Sequence, residues 1–194
     1  RFVMQKIKDN DNNDMDTGLC TITITGGKVG SDTNTDSNKG NVFGAGKGKD
    51  DTFKCEKAMV MNTSVSINTG AVNGDVFGGG EIGRVEYNSR VTMGSGSVKR
   101  SIFGGGAGAE THGYSALVRG NTTVTIEGGI VGESVYGGGE IASVGRYGLD
   151  AQKMPSILLG GGYCYVTVKG SATIGSATEA GDVFGAGKGV VPHY

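Results

Sequence analysis

One phrase, an aliphatic residue followed by an aromatic ring and a glycine corner, recurs five times along this chain. The copies are Val42-Phe-Gly-Ala-Gly46, Val76-Phe-Gly-Gly-Gly80, Ile102-Phe-Gly-Gly-Gly106, Val135-Tyr-Gly-Gly-Gly139 and Val183-Phe-Gly-Ala-Gly187, and they start 34, 26, 33 and 48 residues apart. A unit this short cannot bury its apolar face alone and gains a core by stacking on its neighbours. The phrase therefore points to a solenoid or array interrupted by insertions.

The repeat extends backwards from the phrase. Val65-Ser-Ile67, Val91-Thr-Met93 and Val124-Thr-Ile126 each end nine residues before the next copy. A glycine follows three residues later (Gly70, Gly96, Gly129) and a valine two beyond it (Val72, Val98, Val131). Ile22-Thr-Ile24 with Gly27 and Val29 fits if Ser31 to Lys39 is a nine-residue insertion. Val166-Thr-Val168 fits more loosely, with Ile174 one place out of register.

Alternation of Val or Ile with Thr or Ser, as in Thr21–Thr25 and Thr122–Ile126, is the period of a half-buried strand, with the aliphatics inward and the hydroxyls outward. The glycines at fixed offsets supply positive φ or close backbone approach at corners. Each unit thus reads as strand, corner, strand, corner and a weaker third strand such as Glu81–Val85 or Glu140–Val144. The shortest unit, 26 residues, matches one coil of a parallel β-helix, whose equivalent residues stack about 4.8 Å apart. Crossovers between parallel strands favour the right hand. A β-propeller blade is longer and carries an aromatic-Asp signature that is missing here.

The fold expected is therefore all-β, a right-handed parallel β-helix over residues 18–190, with corner insertions at Ser31–Gly40, Lys47–Lys57 and Gly145–Ser156. Residues 1–17 read as an acidic segment or cap, with Phe2–Ile7 as a candidate capping strand, and residues 191–194 as a tail. The lack of a recognisable cap after the fifth phrase leads us to expect a neighbouring repeat or another subunit on that end.

Composition narrows the function. With 39 Gly and only 2 Pro, collagen is excluded. Lys and Arg number 18 against 19 acidic residues, and no basic run gathers them, which argues against nucleic acid as partner. No apolar run approaches the roughly 18 residues of a membrane-spanning helix. Cys20, Cys55 and Cys164 have neither metal-ligand nor disulfide-framework spacing, so buried thiols are expected. The chain opens on Arg1 without a targeting segment, which suggests a processed piece.

Several motifs invite chemistry and fail on inspection. Gly44-Ala-Gly-Lys-Gly48 and Gly185-Ala-Gly-Lys-Gly189 lack the Ser or Thr that a phosphate loop needs after Gly-Lys. The residue after each phrase runs Lys47, Glu81, Ala107, Glu140, Lys188, which suggests a charge ladder. Ala107 would hold the two glutamates about 10 Å apart, too far for paired glycosidase carboxylates. Asp9, Asp11, Asp14 and Asp16 are hard oxygen ligands and the candidate calcium set, without the glycine and glutamate of an EF-hand; Asp32, Asp36, Asp50 and Asp51 are weaker ones. His112 and His193 have no nucleophile fixed beside them. The aromatic row Phe43, Phe77, Phe103, Tyr136, Phe184 is adjacent to an aliphatic row, so the phrase strand is apolar on both faces. Either the rings form an inner spine or they are a surface for another protomer.

The combination of Thr-Val-Thr-Ile, Gly-Gly-x-Val and Val-Phe/Tyr-Gly-Gly-Gly resembles the glycine-rich repeats of large surface proteins of gut and oral Bacteroidales, over roughly residues 18 to 190. The resemblance implies a secreted or cell-surface β-helical adhesin and carries no catalytic motif, cofactor or metal. The expected function is a non-enzymatic structural or adhesive module, self-assembling into fibres or binding a glycan or host surface. The alternative is a β-helix polysaccharide lyase or hydrolase using Arg84, Glu86, Arg100, Glu133, Arg146 and Asp150, which share no repeat position.

Overall fold

The structure, a computed structural model, describes residues 18–33, 35–36, 39–49, 58–110, 115–145, 147–149, 155–157 and 162–189. Among these the chain is nearly all β, with no α-helix. The first repeat unit supplies β1 (Leu19–Val29) and β2 (Val42–Phe43), and the second β3 (Asn62–Val72) and β4 (Val76–Phe77). The third supplies β5 (Ser89–Met93), β6 (Ser97–Val98) and β7 (Ile102–Phe103), and the fourth β8 (Thr122–Ile126), β9 (Ile130–Val131) and β10 (Val135–Tyr136). After β11 (Tyr147–Leu149) and β12 (Pro155–Ile157) comes the fifth, with β13 (Cys164–Val168), β14 (Thr173–Ile174) and β15 (Val183–Phe184).

Equivalent strands of successive units pair in parallel. One ladder runs β1-β3-β5-β8-β13, and because β3 is long enough to pair twice, the same sheet curls on through β6, β9 and β14. The phrase strands make a second sheet in the order β15-β10-β7-β4-β2. Register follows the repeat residue by residue: Ile22, Val65, Val91, Val124 and Val166 share one rung, and Ile24, Ile67, Met93, Ile126 and Val168 the next but one.

These rungs, with Val42, Val76, Ile102 and Val135 of the phrase and Val72, Val98 and Val131 between, form the main apolar core. The hydroxyls on the alternate positions, Thr23, Ser66, Thr92, Thr125 and Thr167, lie on the other face, half-buried or exposed. Corner glycines Gly27, Gly70, Gly96 and Gly129 have φ between +74° and +107°, a region that only glycine enters without strain.

In the first four units the third strand expected is reduced to a single bridging residue. Val60, Val85, Val118 and Val144 form a parallel row of isolated bridges. Gly83 in this stretch lies close to the neighbouring backbone: a Cβ there would meet the carbonyls of Gly46 and Ala58 at 2.6 Å. Both register irregularities resolve into turns. Val29 pairs with Val72 and Val42 with Val76, which places the first insertion between them. Ile174 pairs with Val131, its extra residue absorbed in the turn at Gly170, where φ is +64°.

Within the insertion read as a polar loop from Gly145 to Ser156, β11 pairs antiparallel with β12. Residues 1–17, 50–57 and 190–194 lie outside the described residues, and with them the candidate capping strand, Asp9, Asp11, Asp14, Asp16, Asp50, Asp51, Cys55 and His193.

Candidate functional site

The aromatic row is a stack. Phe43, Phe77, Phe103, Tyr136 and Phe184 lie ring on ring with centroids 5.0, 4.8, 4.7 and 4.8 Å apart and planes within 8° of parallel. This spacing is that of the strands themselves, so stacking and backbone pairing reinforce each other. Phe77 and Phe103 are buried, on a face separate from the main core, while Phe43 and Tyr136 are half-buried. Exposure reaches 42% only at Phe184, where the stack stops. The rings therefore offer a surface at the end of the row.

The glycines of the phrase are dictated by the neighbouring unit. A Cβ on Gly44, Gly78, Gly104 or Gly137 would strike the carbonyl oxygen of Gly78, Gly104, Gly137 or Gly185 respectively. Gly185, in the fifth unit, faces open space.

Three rows of polar side chains run along the units, and two of them tie one unit to the next. In the first, inward hydroxyls bond to the phrase of their own unit. Thr63 Oγ1 donates to the Gly78 carbonyl at 2.6 Å and Thr122 Oγ1 to that of Gly137 at 2.5 Å, and Ser89 Oγ donates likewise to Gly104. All three are buried, and burial of an unpaired hydroxyl would be costly. The same rung holds Cys20 in the first unit and Cys164 in the fifth.

In the second row, each asparagine carbonyl accepts the next unit's backbone N–H. Asn62 Oδ1 takes that of Asn88 at 3.1 Å, Asn88 that of Asn121 at 2.9 Å, and Asn121 that of Tyr163 at 3.1 Å. The third row does the same just before the phrase, from Asn41 to Asp75 at 2.8 Å, Asp75 to Ser101 at 2.9 Å, Ser101 to Ser134 at 3.4 Å and Ser134 to Asp182 at 3.1 Å. Asn, Asp and Ser immediately before each strand were the available signal, visible only after the units are aligned.

Cys20 is exposed and Cys164 half-buried, both as free thiols, which corrects the expectation of buried cysteines. They occupy an inward rung, but among the described residues β1 and β13 each pair with one strand only.

The charge row pairs as its order suggests. Lys47 lies 3.2 Å from Glu81 and Lys188 3.1 Å from Glu140, with Ala107 between the two glutamates. Of the alternative catalytic set, Arg84 pairs with Glu86 at 2.5 Å, and Arg119 reaches the same carboxylate at 2.8 Å. Arg100 lies 3.6 Å from Asp75, and Ser101 Oγ donates to Glu133 at 3.1 Å. These are two separate groups; Arg146 and Asp150 have no described side chains. Burial pushes the Asp75 carboxyl up to about 6, against the Ser101 N–H and with the charge of Glu140, and the pull of Arg100 does not restore it.

Asp32 is engaged by Lys28 at 2.6 Å and Asn73 at 3.0 Å, and Asp36 by Lys39 at 3.6 Å. Among the described residues, no three His, Cys, Asp or Glu side chains gather in a metal-binding arrangement, and no helix is long and apolar enough to cross a membrane. No protein-family model, curated protein or solved structure matches this chain.

Proposed function

We propose that the chain is a parallel β-solenoid, a right-handed β-helix of five coils, serving as a non-enzymatic structural and adhesive module of a secreted or surface-exposed bacterial protein. One observation carries this reading: the residues that repeat are engaged in holding one unit to the next. The aliphatic rungs fill the core, the rings stack, the phrase glycines admit the neighbouring carbonyl, and the Asn, Asp and Ser rows bond across units. A catalytic centre would instead break the repeat at one place with a convergent set of groups. What varies between units is the insertions, and variable loops on a rigid scaffold are where binding is commonly found. Glycans or host surface molecules are the ligands proposed, in keeping with the resemblance to surface proteins.

The test incubates the purified chain with a panel of acidic and neutral polysaccharides, and separately with arrays of immobilised glycans and matrix proteins. Retention on the arrays without depolymerisation is expected. Release of reducing ends or unsaturated sugars, lost on Arg100→Ala or Glu133→Gln, would replace this reading by the polysaccharide lyase or hydrolase.

A further inference from the structure

We infer that the outward face of the long ladder binds an acidic polysaccharide, with a sugar ring lying on Tyr163 and Tyr165 and an anionic group reaching Arg90. The inference rests on the adhesive reading above and places the glycan on the sheet rather than on the insertions.

On this face the repeat is broken by side chains that the fold does not need. Thr21, Ser64, Arg90, Thr123 and Tyr165 share one rung, and two residues on, Thr23, Ser66, Thr92, Thr125 and Thr167 share another. Register partners in a sheet project to the same side, so Arg90 and Tyr165 stand among hydroxyls on the side away from the main core. Tyr163 takes the place that Asn62, Asn88 and Asn121 hold in the preceding units. Tyr163 is 62% and Tyr165 52% exposed, with ring centroids 6.2 Å apart and planes tilted by 32°. Backbone bonds hold the pair in place: the Tyr163 N–H donates to Asn121 Oδ1 at 3.1 Å, and the Tyr163 carbonyl accepts the Thr122 N–H at 3.0 Å. Arg90 is exposed and, among the described residues, in no ion pair or hydrogen bond. Glu127, just beyond β8, is already paired with Lys169 at 2.9 Å, so the free charge on this part of the face is positive.

The chemistry of the face selects the ligand. An exposed tyrosine pair offers an apolar surface that fits the C–H face of a pyranose ring, while its phenol tips stay in water. The hydroxyls of Thr123, Thr125 and Thr167 beside it can exchange water for sugar hydroxyls. Tyr165 and Arg90 lie two strands apart on one rung, about 10 Å at the strand spacing, a distance that a short oligosaccharide spans. An arginine favours a carboxylate or sulfate, which it holds by two parallel hydrogen bonds. A protein partner is disfavoured. A stable interface covers about 800 Å² on each side, whereas two half-exposed tyrosines offer roughly 200 Å², set among hydroxyls.

The test is titration calorimetry of the whole chain with matched probes, polygalacturonate against its methyl ester and dextran sulfate against dextran. A charged probe is expected to bind and its neutral counterpart to bind roughly tenfold more weakly; the charged probe that binds names the anion as carboxylate or sulfate. Tyr163→Ala and Tyr165→Ala should each weaken binding roughly tenfold, as loss of an aromatic anchor does, and Tyr165→Phe should keep it. Arg90→Ala should remove the preference for the charged probe. These side chains are exposed, so the melting temperature should not move. Lys47→Ala, which removes an exposed cation elsewhere, should bind as its parent does. The inference is overturned if neither charged probe binds, if the neutral probes bind as tightly, if the two tyrosine-to-alanine variants bind like the parent, or if Lys47→Ala costs as much as Arg90→Ala. Glycan retention on the arrays that survives Tyr163→Ala, Tyr165→Ala and Arg90→Ala would sink this site and leave the adhesive reading standing. Cleavage of either charged polysaccharide would sink the adhesive reading itself.

Discussion

At the scale of single residues, identity here is set by what lies one repeat unit away. The corner glycines answer to backbone conformation and the phrase glycines to a neighbouring carbonyl. Asp75 shows the same logic with charge. It occupies the rung that Asn41 holds in the first unit and Ser101 in the third, and only its side-chain oxygen is needed there. Its carboxyl titrates near 6 when folded, above the ordinary value of 3.8. Between those values the folded chain holds the extra proton, so the stabilisation is full below about pH 4 and is lost as pH rises through about 6. At about 1.4 kcal/mol per unit, two units set a ceiling of about 3 kcal/mol. Asp75→Asn should abolish this segment of the pH–stability curve in urea melts. An unchanged slope between pH 4 and 6 would assign it to another group. Assigning every hydroxyl outward misplaced Thr63, Ser89 and Thr122, which stand two residues before Val65, Val91 and Val124 and so share their inward face. The phrase carbonyl of the same unit supplies the partner that lets each be buried.

At the scale of elements, strands of two residues such as β4, β7 and β10 have little stability of their own. They persist because each is hydrogen-bonded to a copy on both sides and carries a ring in the stack. Removing a central ring should therefore cost far more than removing the last. Phe103→Ala, from a fully buried site between two rings, is expected to lose about 3–5 kcal/mol. Phe184→Ala should lose no more than about 1 kcal/mol. Equal losses in thermal or denaturant unfolding would mean that the row is not a stack in solution. The phrase strands and the long β-strands were legible because their period of two and fixed offsets recur. The third strand was misread because Ile82 and Val85 are β-branched, although they stand three residues apart and not two, and only Val85 forms a bridge. The hairpin of β11 and β12 had no repeat to betray it.

At the scale of the whole molecule, stability should grade along the stack, since each unit leans only on its neighbours. Backbone amides of β5 and β8 sit between paired strands, while β13, β14 and β15 line an outer edge. Native-state hydrogen exchange is expected to be slowest in β5 and β8 and fastest in β13–β15. Uniform protection along the units would contradict the gradient. The sequence by itself determined the number of units, their register, the aliphatic rungs and the places of the insertions, because repetition records contacts that recur in every unit. Only the tertiary structure decided that the rings stack, that two polar rows bridge the units while a third bonds within each, that Cys20 of the first unit and Cys164 of the fifth share a rung, and that Gly185 faces open space. Those facts depend on which atoms of distant segments meet, and a residue's neighbour in the next unit lies 26 to 48 positions off in the chain.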